Sequence, residues 1–313
     1  MIKSDTLSVN QLIVSGLLCF LLQIIAYPLQ AKEQSDLVIV NSDLSIKKYA
    51  LTQQLFEANY KSPVTVINLA DYSQKKASYL IKKNKSKTIY AIGSKAYLLS
   101  QQVAENKNIV FSSIINWQRL TVTKHSYGVA QELPTAMQLT MFRYLFPEIK
   151  RVGVLYSKQY NKEWLLDAIE AAKNVGIGLI AKDVDSKRDL SSAIAGLLPT
   201  VDVLWLIADP VVLANKAAVN DIFKQTKNRQ KPVFTYSQSL LDLGAVLVIS
   251  ADLPTISGQV SALVDELNRN KITITEQVYK PAGSHIILNM KQLKKYPIKL
   301  NKEALGSVNQ IIE

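Results

Sequence analysis

The sequence predicts an α/β fold of two lobes, each a parallel sheet covered by helices, with a ligand cleft between them. Three observations carry this expectation. From residue 36 onward, short β-branched apolar runs alternate with amphipathic segments, the pattern of βα units and parallel sheets. The run of strands is interrupted by a seam at 123–150, which contains the helix-like TAMQLTMFRYLF (135–146). The residues just past the strands are small, polar or aromatic, and open α/β sheets bind ligands at their strands' carboxyl ends.

The strand candidates, in order, are LVIVN (37–41), VTVINL (64–69), TIYAIG (88–93), NIVFSSI (108–114), RVGVLYS (151–157), GLIAKDV (178–184), VDVLWLIA (201–208), KPVFTYS (231–237) and AVLVISAD (245–252). Each is bounded by polar, Gly or Pro residues. Between them, WLLDAIEAAKNVG places Trp164, Leu165, Ala168, Ile169 and Ala172 on one helical face and closes on Gly176, a C-cap glycine. DLSSAIAGLL (189–198) and SGQVSALVDELNRN (257–270) have the same helical period. The seam leaves about four βα units before it and about five after it. Two Rossmann-like lobes facing a shared cleft explain this better than one continuous sheet.

The first 31 residues differ in kind. After Lys3 comes the apolar run LIVSGLLCFLLQIIAYPLQA (12–31), followed at once by KEQSD. This is the pattern of a secretory signal at 1–31, with an h-region at 12–25 and cleavage after Ala31. An uncleaved run of about 20 residues would instead anchor the chain in a bilayer. In both cases the body of the protein is expected outside the cytoplasmic membrane, in the periplasm. The single cysteine, Cys19, falls inside this run behind Leu18, where a lipoprotein signal would place a small residue. A mature chain without a thiol has no disulfide, thiolate metal site or cysteine nucleophile.

Lys and Arg number 37 against 25 Asp and Glu, for a formal charge of +12. The lysines are dispersed (82–87, 224–231, 291–295) as a solvated basic face would be, so no nucleic-acid partner is expected. The histidines, His125 and His285, stand in loop-like sequence with no partnered acid or nucleophile motif. No P-loop, GxGxxG, GxSxG or HExxH occurs. No enzyme activity, metal site or cofactor is expected.

The candidate site therefore consists of strand-end residues: Gly93 and Ser94, Asn116 and Trp117, Tyr156, Ser157 and Asn161, Asp209, Tyr236 and Ser237, and Asp252. Gly93-Ser94 opening a helix offers N–H groups and a hydroxyl to an anion. Asp209 and Asp252 suit a ligand ammonium, and Tyr236, Tyr156 or Trp117 suit an apolar part. DVLWLIADPVVL (202–213) poses the sharpest alternative. Asp209 before Pro210 is an ordinary helix cap, or a carboxylate that reaches the cleft.

The order RVGVLYS, GIGLIAKDV, DVLWLIADPVVL and KPVFTYSQSLLDLGAVLVISADLPTISGQVSALV, with Gly244-Ala245, Asp252 and Gly258-Gln259, resembles the ABC transporter substrate-binding protein family, whose better-known members bind aromatic amino acids. The resemblance implies a type I periplasmic-binding-protein fold with three crossovers. One lobe would comprise 32–122 plus 253–283, and the other 123–252 plus 284–313. It implies that the strand-end positions named above contact the ligand. It also implies an exported, non-enzymatic binding protein that captures a small, amino-acid-like molecule for a membrane permease. The alternative is an exported module signalling to a membrane-bound sensor, a kinase or cyclase. Where members often carry Asp-Pro after the fourth strand this chain has Asn116-Trp117, which replaces a charge with a bulky ring.

Overall fold

The computed structural model describes residues 37–186, 188–269 and 274–313. The signal expected at 1–31, with Cys19, lies outside the described residues. The chain begins with β1 (Leu37–Asn41), α1 (Lys47–Asn59), β2 (Val64–Asn68), α2 (Gln74–Lys83), β3 (Thr88–Ile92), α3 (Ser94–Val103), β4 (Asn108–Ser112), β5 (Ser126–Val129) and α4 (Thr135–Leu145). Next come β6 (Arg151–Tyr156), α5 (Lys158–Asn174), β7 (Gly178–Asp183), α6 (Leu190–Leu197), β8 (Val203–Leu206), α7 (Lys216–Asn228), β9 (Val233–Thr235), β10 (Leu247–Ala251) and α8 (Leu253–Asn268). β11 (Val278–Tyr279), β12 (Ser284–Asn289), α9 (Met290–Leu293) and β13 (Gln310–Ile312) complete it.

These elements form two lobes. The first sheet has the order β11, β5, β4, β3, β1, β2 and is parallel throughout. The second has the order β13, β12, β10, β9, β8, β6, β7. It is parallel except that β12 runs against β10. Central strands covered by helices on both faces are near-continuous apolar runs. Accordingly β1, β3 and β8 are buried along their whole length, while edge strand β2 exposes Thr65 and Val66.

The chain crosses between sheets after β5, after β10 and after β11. The second crossing uses α8, whose start is built from sequence. Asp252 Oδ2 accepts from the Thr255 N–H at 3.0 Å and from its hydroxyl at 2.6 Å, with Pro254 in the first turn. α8 then packs against α1 and against β3, β4 and β5. At the centre of the second lobe Trp205 meets Phe142 edge-on at 5.2 Å and Trp164 at 4.9 Å.

Three particulars depart from the sequence expectation. β5 pairs with β4, so strand pairing carries the first sheet to Val129, beyond the boundary placed at 122/123. Its Ser-Tyr-Gly-Val is too short and too polar to stand out, and Gly128 is required because a Cβ there would fall 2.6 Å from the Phe111 ring. On α5 the buried face is Leu165, Ala168, Ala171 and Ala172, whereas Ile169 is 47% exposed. His285 belongs to strand β12 and not to a loop.

Candidate ligand-binding cleft

The strand end at Asp209 resolves the alternative posed by its sequence. Its carboxylate is 1% exposed and fully engaged. Oδ1 accepts from the N–H groups of Val211 at 2.8 Å and Val212 at 2.9 Å, the turn that Pro210 opens. Oδ2 accepts from the Ser157 N–H at 2.7 Å, the Ser157 hydroxyl at 2.7 Å and the Asn161 amide at 2.6 Å. A carboxylate offers roughly four lone-pair sites, so five donors leave nothing for a ligand. Ser157 and Asn161 are likewise buried and turned toward Asp209, and Asn161 leaves helical geometry within α5 (φ −128°, ψ 20°). The three expected site residues thus form a knot that joins the ends of β6 and β8.

The other expected residues divide. A cavity of about 760 Å³ is lined by Tyr236, Ser237 and Asp252, but not by Gly93, Ser94, Asn116, Trp117 or Tyr156. Gly93 (φ +85°) is pressed so closely on Ser42 and Tyr49 that a Cβ would lie 2.7 Å from Ser42 Oγ. Ser42 Oγ already accepts the Ala96 N–H at 3.0 Å, which occupies part of the anion cradle expected beside the exposed Ser94. Trp117 packs on the first lobe's core and Tyr156 on the core of the second.

Asn116 instead joins the lobes. It adopts the left-handed conformation (φ 53°), which asparagine tolerates, and its Nδ2 donates to the Ala208 carbonyl of the second lobe at 2.8 Å. Nearby, the Arg119 guanidinium lies 4.5 Å from the Tyr160 ring centre. Both contacts span the two sheets beside Asp209.

The cavity draws on both lobes. α1 contributes Lys48, Leu51 and Leu55 from the first, while Trp164, Trp205 and Ile207 form an apolar wall on the second, beside Tyr236 and His285. The crossover after β5 supplies Gln131, Glu132 and Leu133. Of these, only Tyr236 was expected from the sequence as a site residue. The tryptophans were visible as helix and strand residues, but no periodic signal marks the crossover.

The electrostatics of the cleft centre on Glu132. Burial raises its pKa above the ordinary carboxylate value, while the Asn116 N–H, the nearby N–H groups of Glu132 and Gln131 and the charge of Lys48 pull the other way. Its Oε1 accepts from the Asn116 N–H. Lys48 is pushed down to about 8 by burial, against the favourable charge of Glu132. Burial, with Glu132 adding to it, pushes Tyr236 up to about 12, so its hydroxyl stays protonated at neutral pH. Lys47 and Lys48 stand in the first turn of α1, which has no acidic residue and no side-chain cap. Cations at the positive end of a helix dipole make that corner favourable for an anion.

Comparison with known proteins accords with this geometry. Residues 36–312 match the family model described as ABC transporter substrate binding protein. A tyrosine-binding protein of Clostridioides difficile is 20% identical over 220 residues, covering 67% of this chain. That alignment spans 63% of the relative's length. Among solved structures, the ligand-free, open form of a substrate-binding protein with adhesive properties from Clostridium difficile superimposes with a TM-score of 0.68 at 14% identity, covering 88% of this chain and 99% of the other. A domain from Streptococcus pneumonia in complex with L-Trp gives 0.59 at 16% identity, again covering 88% and 99%. At these identities the structural likeness establishes the fold, a two-lobe α/β architecture of the periplasmic-binding-protein type.

Proposed function

The chain belongs to the ABC transporter substrate-binding protein family, and on that footing we propose that it captures an amino-acid-like molecule with a flat apolar side chain outside the cytoplasmic membrane and hands it to a membrane permease. The observation that carries the ligand class is the cleft itself. Its apolar wall of Trp164, Trp205 and Ile207 faces a polar corner with Lys48 of the first lobe. A flat side chain against Trp164, which Trp205 backs from the core, and a carboxylate toward Lys48 and the uncapped start of α1 satisfy both halves. The names of the tyrosine-binding relative and the L-Trp complex favour the same class. Export to the periplasm agrees with the apolar segment at 12–31.

Capture follows from the hinge between lobes. A ligand touching both walls makes more contacts when they approach, so it shifts the balance toward the closed form by that difference alone. Trp164 and Trp205 line the cavity, so intrinsic fluorescence reports occupancy. Titration with L-tyrosine, L-tryptophan and the remaining amino acids should give a saturable change for the aromatic members, diminished in Trp164→Phe. A signal that stays flat across the whole set would refute the ligand class.

A further inference from the structure

Among the described residues, three buried side-chain polar atoms have no protein partner: Ser100 Oγ, Gln131 Oε1 and Glu132 Oε2. Two of these belong to adjacent residues that line the cleft, and both are acceptors. Buried polar atoms are nearly always hydrogen-bonded, and the exceptions call for a reason. The other carboxylates of the cleft region are engaged in full or in part. Asp209 is saturated by its five donors, and Asp252 Oδ2 caps α8.

We propose that Gln131 Oε1 and Glu132 Oε2 form a cation subsite that receives the protonated amine of the ligand. This rests on the amino-acid-like reading above and specifies which residues discriminate within it. Glu132 is held for the task. The Asn116 N–H fixes Oε1, so Oε2 is presented by an oriented carboxylate and not by a freely rotating one. An ammonium brings several N–H donors to one point and meets both oxygens at once, whereas a neutral hydroxyl satisfies one and leaves the charge unpaired. Lys48 interacts with Glu132 through its charge, but the two form no ion pair within contact distance. Ligand and lobe contact share this carboxylate, because Asn116 also grips Ala208 across the cleft.

The test uses isosteric pairs that differ only in the α-ammonium: L-tyrosine with 3-(4-hydroxyphenyl)propionate, and L-tryptophan with indole-3-propionate. Calorimetry on the wild type should show the amine-bearing member bound about tenfold tighter or more, as a charge-assisted contact implies. Glu132→Gln, which keeps an acceptor for the Asn116 N–H, should shrink that preference to about threefold or less with the melting temperature maintained. Gln131→Leu should weaken the amine-bearing member alone. Equal affinity of wild type for both members of a pair, or a preference that survives Glu132→Gln, overturns the cation subsite and leaves capture of an apolar ligand standing. If wild type binds neither pair, the ligand class and the subsite fall together.

Discussion

Asp209 and Glu132 are carboxylates at neighbouring junctions between the lobes, and their surroundings are opposite. Asp209 accepts five hydrogen bonds that tie the ends of β6 and β8 together. Glu132 accepts from Asn116 with one oxygen and leaves the other buried without a protein donor. The first is paid for by the fold; the second is a cost that folding alone does not explain. A saturated acid marks architecture, and a half-satisfied one beside an apolar wall marks recognition.

The largest expected effect separates the two on stability. Asp209→Ala would strand two side-chain donors and three backbone N–H groups, at a cost of about 3–5 kcal/mol. Urea denaturation would measure it, and a loss below about 1 kcal/mol would dissolve the contrast. Next is Lys48, which faces Glu132. In the folded chain it holds its proton only up to about 8, against 10.5 for the ordinary side chain. Between those values the unfolded chain binds more protons, so stability rises with pH there, and the desolvation cost is fully present below about 8. Lys48→Met should therefore raise stability at neutral pH by about 1–2 kcal/mol and flatten that slope, as denaturation at several pH values would show.

A smaller effect concerns the contact linking the two junctions. Asn116→Gly keeps the positive φ but removes the bond to Ala208, worth about 1 kcal/mol. The lobes should separate more readily, and small-angle scattering of the ligand-free protein should report a larger radius of gyration. The smallest stability effect is expected for Glu132→Gln. Because burial raises the folded pKa of Glu132 above its unfolded value, wild type loses stability as pH rises through the range just above 4.5. The variant should lack that decline and match or exceed wild type at neutral pH.

The same contrast shows how far the sequence was legible. The knot was half visible: DVLWLIADP announced a buried strand closed by a capping carboxylate, and the cap to Val211 and Val212 is what Asp-Pro chemistry prescribes. The bonds to Ser157 and Asn161 were not visible, because their partners lie 52 and 48 residues away. Tyr236, Ser237 and Asp252 lie on the cavity wall because strand ends project there. Gln131 and Glu132 carried no signal at all. They stand in a crossover without period or motif, where Glu-Leu-Pro looks like any polar connection.

What the sequence determined by itself is therefore the alternation of elements, the apolar strands of two covered sheets and the local caps at Asp209 and Asp252. Each depends on spacing within a few residues, on hydrophobic period and on side-chain chemistry next to the backbone it bonds. The tertiary structure alone decided which carboxylate is spent and which keeps an unpaired oxygen, and which aromatic rings face the cleft. Those properties arise from desolvation and from donors brought together across the chain, and no local pattern encodes them.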